Sequence, residues 1–293
     1  MCSHQIPRPY RRDESPHFPP APEPLPVPVY DNHTHFDLPD SDGVAAHVAL
    51  KDALDAAEAV GVAGAVQVGC DLATSRFTAA AVDLDPRLLG AVAIHPNDAP
   101  DLARAGALEA ALAEIDALAA HPRIRAIGET GLDYFRTGAD GVADQHHSFR
   151  RHIEIAARRS LALQIHDRDA HDDVVAVLGT ERLPEKVVFH CFSGDAKLAR
   201  ICNDNGWYMS FAGTVTFKNA QNLREALLVA DPALVLVETD APYLTPHPHR
   251  GRPNASYMVP YTVRSMAALL GRELADLGAQ LNANTLAVYG SWD

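Results

Sequence analysis

The fold class this sequence predicts is α/β, a (β/α)8 TIM barrel, and three observations predict it. From Val29 onward, strand and helix signals alternate eight times in units of roughly 25 to 35 residues, the spacing of parallel strands joined by helical crossovers. Once a proline-rich N-terminal stretch is set aside, the remaining chain is close to the roughly 250 residues such a barrel needs. Histidines and carboxylates recur at strand ends along the whole chain, and a barrel gathers those ends on one face where an open sheet scatters them. A doubly wound sheet is the competing architecture, but no Gly-x-Gly-x-x-Gly follows an early strand and no P-loop is present.

The elements follow in order. Residues 1–27 hold eight prolines and little apolar periodicity, so they are expected to form a disordered or loosely extended tail outside the core. Residues 28–293 are expected to form the barrel domain. The apolar run Val27-Pro28-Val29-Tyr30 leads a first strand into Asp31-Asn32-His33-Thr34-His35-Phe36-Asp37. Gly43 to Val60 is Ala-rich at helical spacing and stops at Gly61; Ala63 to Gly69 is a buried strand. Thr74 to Leu84 reads as a helix, Leu89 to Ile94 as a strand ending at His95, and Leu102 to Ala120 as one long helix. Ile124 to Gly128 is a fourth strand running into Glu129, followed by a helix over Ala143 to Arg159. Leu161 to Ile165 delivers His166, and His171 to Leu178 is helical. Lys186 to Phe189 ends at His190, with a helix over Asp195 to Asn203. Trp207 to Phe211 is a seventh strand, Asn219 to Val229 a helix, and Leu234 to Val237 an eighth strand ending in Glu238-Thr239-Asp240. Val259 to Leu270 and Asn282 to Tyr289 close the pattern as helices.

Composition narrows the function. A chain of 293 residues that is 47% hydrophobic can bury a full core, and no apolar run is long enough to span a bilayer. With no signal-peptide core, the expected location is the cytoplasm, with no membrane partner and a monomeric chain. The four cysteines show no Cys-x-x-Cys spacing and are expected to be free thiols, Cys191 a buried one. A net charge of −13 excludes a broad basic nucleic-acid surface, so any attraction for phosphates must be local, as bound divalent cations would make it. Arg150, Arg151, Arg158 and Arg159 make a basic stripe on one helix, read here as a solvated face paired with acidic neighbours.

Strand alternation puts His33 and His35 on one face with converging imidazoles, half of a metal site, although two strand histidines also occur in solvent or in hydrogen bonds. Adding His95, Glu129, His166, His190 and Asp240 gives more donors than one ion needs. The set suits a two-metal site for Zn²⁺, Mn²⁺ or Mg²⁺.

Five ordered motifs carry a family resemblance: His33-Thr34-His35, Gly128-Glu129-Thr130-Gly131-Leu132-Asp133, His166-Asp167-Arg168-Asp169-Ala170, His190-Cys191-Phe192-Ser193-Gly194 and Glu238-Thr239-Asp240-Ala241-Pro242-Tyr243-Leu244. Together they resemble the TatD-type metal-dependent DNases, within the amidohydrolase-like barrels, and Asn284-Thr285-Leu286-Ala287 is similar to that family's closing helix. The resemblance implies that His33, His35 and Asp240 hold one divalent ion (Mg, Mn or Zn), that His166 and His190 hold a second, and that Glu129 bridges them. It further implies Asp240 as general base and His95 as a group orienting a phosphate oxygen; Arg168, at the end of the fifth strand, and Arg250, in the loop after the eighth strand where barrel active sites are built, are expected as further substrate contacts. The implied activity is hydrolysis of DNA phosphodiesters from a 3′ end, on single-stranded DNA or free 3′ ends. Removal of D-amino acids from tRNA, or hydrolysis of a small amide, lactone or phosphotriester, stands as the alternative. Against the last, many amidohydrolase-like barrels bridge their metals with a modified lysine on the fourth strand, where this chain has Glu129. Thr130 stands where many relatives have Cys or another small residue, and the Pro-rich extension is not part of the family pattern. Tyr243 and Phe192 are read as packing residues near the mouth, and His247, His249 and Arg252 share the Arg250 loop.

Overall fold

The computed structural model describes residues 17–37 and 50–292. Its eight strands lie in one sheet in the order β1 to β8. They are β1 (Val29–Thr34), β2 (Val62–Val68), β3 (Leu88–Val92), β4 (Ile124–Asp133), β5 (Ala162–Arg168), β6 (Val187–Phe189), β7 (Tyr208–Phe211) and β8 (Val235–Val237). Helices alternate with them: α1 (Leu50–Glu58), α2 (Leu72–Ala81), α3 (Ala99–Arg104), α4 (Leu108–Leu118), α5 (Val142–Arg159), α6 (His171–Leu178), α7 (Ala196–Asn205), α8 (Gln221–Val229), α9 (Val259–Leu270) and α10 (Leu274–Tyr289). This is the predicted (β/α)8 class. Strands β3, β6 and β7 are buried at every position, as strands covered on both faces must be.

The chain divides into two compact units: residues 67–193, and residues 17–66 with 194–292 among those described. In the first, β4 pairs in parallel with β3 and β5, and its register with β5 shifts between Ile127 and Thr130. That irregularity falls on Glu129, in keeping with the use of bulges to aim side chains. Two glycines of the motif are dictated by how closely β5 approaches. A Cβ on Gly128 would lie 2.4 Å from the Gln164 Cβ, and one on Gly131, at φ 146°, would lie 2.0 Å from the His166 carbonyl oxygen.

In the second unit β7 pairs with β8, and β8 meets β1 through the Thr34–Ala241 bridge. The His35 amide donates to the Ala241 carbonyl at 2.8 Å, and the Asp240 amide to the His33 carbonyl at 2.9 Å. Buried Asn284 on α10 donates to the carbonyls of Val235 and Pro232, and Thr285 donates to Asn32, whose amide nitrogen donates to the Val237 carbonyl. The closing helix thereby ties the first strand to the last.

Three expectations change. The single helix over 102–120 is two, α3 and α4, because Gly106 sits at φ 67° between them. The last helix begins at Leu274, not 282. The expected tail is partly a docked strap: residues 17–28 give up their backbone carbonyls to side chains of the α9 and α10 region. Arg252 donates to His17 and Phe18, Tyr257 to Pro19, Arg264 to Glu23 and Pro24, and Asn282 to Pro28. Leu25 is buried, and its amide donates to the Val60 carbonyl. A proline-rich chain has few amides but a full set of carbonyls, which suits it to a surface of donors. Residues 1–16, and residues 43–49 of the helix expected over 43–60, lie outside the described residues.

Candidate metal centre

In the second unit, β1 places His33 and His35 on one face, with their Nε2 atoms 3.3 Å apart. Asp240, in the left-handed conformation at φ 55°, brings Oδ1 to 3.6 Å from His35 Nε2 and 3.9 Å from His33 Nε2. Ligands about 2.0 Å from a tetrahedral ion stand about 3.3 Å from each other, so this trio, two buried imidazoles and a partly exposed carboxylate, fits a zinc-sized cation with little adjustment. The turn carrying Asp240 is held by Asp31, which accepts from the Thr239 amide at 2.8 Å and from its hydroxyl at 2.6 Å. Burial raises the Asp31 carboxyl to about 7, the Thr239 bonds offsetting part of the rise.

In the first unit, Glu129 Oε2 lies 3.1 Å from His166 Nδ1 and 2.9 Å from His190 Nε2. Burial alone would raise the Glu129 carboxyl, but the surrounding imidazoles of His95, His190 and His166 hold it well below the usual carboxylate range. Cys70, just past β2, directs its thiol at Glu129 Oε1 from 3.2 Å. His166 turns its other nitrogen to buried Asp133, with Nε2 3.1 Å from Oδ2. That bond holds one ring proton on Nε2 and makes Nδ1, which faces Glu129, the nitrogen that a cation would take once its proton is given up, the carboxylate–histidine arrangement typical of a metal ligand. Burial works against the His166 cation, yet the Asp133 and Glu129 bonds outweigh it and raise its pKa.

His95 differs from its neighbours. Its Nδ1 accepts the Asn97 amide at 3.1 Å, which places the ring proton on Nε2, 3.3 Å from His166 Nδ1 and 3.7 Å from Glu129 Oε2. Burial drives its pKa down to about 3, so the ring is a neutral N–H donor. Its strand is anchored by His152 on α5. That ring accepts the Ile94 amide at 3.1 Å and donates from Nδ1 to the Ser148 carbonyl at 2.7 Å.

Each unit therefore gathers its own share of the residues predicted from sequence. Arg168 and Arg250 are not in these clusters: Arg168 packs on the Phe135 ring with Cζ 4.1 Å from its centroid, and Arg250 on Phe217 at 4.2 Å. Arg252 is occupied by the strap, and His249 bonds the Tyr261 hydroxyl. Phe192 is buried, while Cys191 is half-exposed at φ 41° rather than buried, because the chain leaves strand geometry right after His190. None of Cys70, Cys191 and Cys202 forms a disulfide. The α5 stripe is paired as expected, Arg150 with Glu181, Arg151 with Glu154, and Arg158 and Arg159 with Asp116. Sequence reasoning missed Cys70, Asn97, Asp133 and His152; the first three follow strand ends or close one, and Asp133 already stood in a quoted motif.

No helix among the described residues is long and apolar enough to cross a membrane. The sequence profile described as TatD related DNase matches residues 30–290. A Mycobacterium tuberculosis protein described as uncharacterized metal-dependent hydrolase TatD is 43% identical over 266 residues, covering 89% of this chain and 98% of that one. Escherichia coli K12 YcfH, also described as a metal-dependent hydrolase, is 34% identical, covering 88% and 94%. Among solved structures, the E. coli TatD homolog YjjV superposes with a TM-score of 0.78 at 24% identity, over 90% of this chain and 98% of that one. With the profile spanning nearly all of the fold and every motif on it, the chain belongs to the TatD-related DNase family.

Proposed function

We propose that this member of a family of metal-dependent hydrolases cleaves phosphodiester bonds in DNA, working from the 3′ end. The observation that carries the reading is Glu129, a buried carboxylate with imidazole nitrogens 2.9 and 3.1 Å from one oxygen, a donor set whose converging lone pairs suit a cation. His33, His35 and Asp240 would hold one divalent ion and His166 and His190 another, with Glu129 the shared ligand that the family resemblance assigns. When bound, such ions supply Lewis acidity and lower the proton affinity of water.

The protein's own residues do the rest. Asp240, its side chain 14% exposed, takes the proton of the attacking water as general base. The His95 Nε2–H donates to a phosphate oxygen as negative charge builds on it, the kind of fixed donor that favours the transition state. The new P–O bond forms as the bond to the leaving 3′-oxygen breaks. That oxygen leaves with a proton from solvent, giving a shortened strand and a nucleoside 5′-phosphate.

The test is hydrolysis of a 5′-labelled single-stranded oligonucleotide by metal-stripped protein reloaded with Mg²⁺, Mn²⁺ or Zn²⁺, with Asp240→Asn as control. A ladder shortening from the 3′ end, absent in the variant, is the expected result. If the protein rebinds its ions and no metal restores cleavage, the DNA reading is wrong, and aminoacyl-tRNA esters become the next substrate to try.

A further inference from the structure

We infer that Phe135 and Arg168 form a nucleotide-stacking platform for single-stranded DNA, the ring taking a base and the guanidinium an adjacent phosphate. The inference rests on the hydrolase reading above and adds a binding subsite to it.

Phe135 is 59% exposed, a large apolar ring left in water in the loop that follows β4. It is also not free to drift. Its amide and that of Arg136 donate to Asp133 Oδ1 at 3.0 and 2.8 Å, while Asp133 Oδ2 holds His166 at 3.1 Å and accepts from Asn97 at 3.1 Å. One carboxylate thus fixes both a ligand histidine and the start of the Phe135 loop. Across the strand pair, Asp133 stands in register with Arg168, and the Tyr134 amide donates to the Arg168 carbonyl at 2.9 Å. The platform is indexed to the metal ligands through β4 and β5, not hung on a loose loop.

Charge supports the same assignment. On this acidic chain several surface arginines of the first unit pair with carboxylates, Arg76 with Glu114, Arg87 with Asp85, and Arg158 and Arg159 with Asp116, while Arg123 donates to the Pro86 and Leu88 carbonyls. Arg168 pairs with no carboxylate among the described residues and lies 4.1 Å over an aromatic ring, with Arg136 5.9 Å from the same centroid. A guanidinium parked on a ring keeps its N–H donors available to phosphate, and a half-open ring keeps a π-face available to a base. Base stacking is tolerant of sequence, which suits an enzyme that must accept every nucleotide. Within the second unit, Arg250 over Phe217 repeats the pairing.

The experiment uses the metal-loaded enzyme and two oligonucleotides of equal length, one of thymidines and one with abasic residues in place of its last bases. Phe135→Leu is expected to raise KM for the thymidine strand by about 5- to 100-fold, with kcat within twofold, and to leave KM for the abasic strand unchanged. Phe135→Trp keeps the wild-type KM. Equal KM for both strands in the wild type, or a Phe135→Leu enzyme that matches it on thymidine, overturns the platform while the nuclease reading stands. A wild type that cleaves neither strand with any metal overturns both.

Discussion

His166 Nε2 lies 3.1 Å from Asp133 Oδ2, and this bond decides which nitrogen of His166 is left to bind an ion. Asp133 is fully buried and also caps the amides of Phe135 and Arg136. Replacing it with Ala frees the ring to turn and is expected to weaken metal binding about 10- to 100-fold, the usual effect of losing such an orienting carboxylate. Competition with a zinc chelator measures it; an unchanged affinity would mean that packing alone holds His166.

Gly131→Ala tests how closely β5 approaches β4. The added methyl meets the His166 carbonyl oxygen at 2.0 Å on a backbone already at φ 146°. The expected cost is about 1–3 kcal/mol from overpacking, seen as a lower midpoint in urea, with a shifted His166 reducing metal affinity as well. Wild-type values for both would contradict the packing.

The strap predicts a stability change where a free tail predicts none. Deleting residues 1–24 removes the carbonyls that Arg252, Tyr257 and Arg264 bond, at roughly 0.5–1.5 kcal/mol for each bond. A fall of several degrees in Tm is expected, together with faster amide exchange around α9. No change in Tm would return the segment to a loosely extended tail outside the core.

His152 predicts a pH dependence whose sign follows from its burial. Desolvation lowers its pKa from 6.5 to about 4, so the folded state keeps it neutral while the unfolded chain takes up a proton below 6.5. Its contribution to stability is therefore intact above pH 6.5 and lost as pH falls through 4, by up to about 3 kcal/mol. The difference in unfolding free energy between wild type and His152→Gln, followed from pH 7 to 4, should shrink by that order. A difference that stays flat would show that the ring is not buried neutral.

Metal content separates the two ligand groups. His33→Ala/His35→Ala is expected to lose one ion per chain by elemental analysis and keep the ion held with His166 and His190. Loss of all metal, or of none, would refute the assignment of one ion to each group.

The sequence by itself determined the order of the strands and the candidate ligands. Strand length and the 2.0 and 3.6 periodicities are local properties, and His33, His35, Glu129, His166, His190 and Asp240 all stand where an apolar run ends, a position visible without coordinates. Tertiary structure decided what those residues mean to one another. Which nitrogen of His95 carries the proton depends on the Asn97 amide, and which nitrogen of His166 is open depends on Asp133, 33 residues away. The carbonyls of residues 17–28 read as featureless until donors more than 200 residues later covered them. Phe135 read as one apolar residue among many, and its exposure and its two arginines are facts of how β4 and β5 end side by side. Hydrogen-bond direction and solvent exposure are set by atoms distant in the chain, so no pattern of neighbouring residues encodes them.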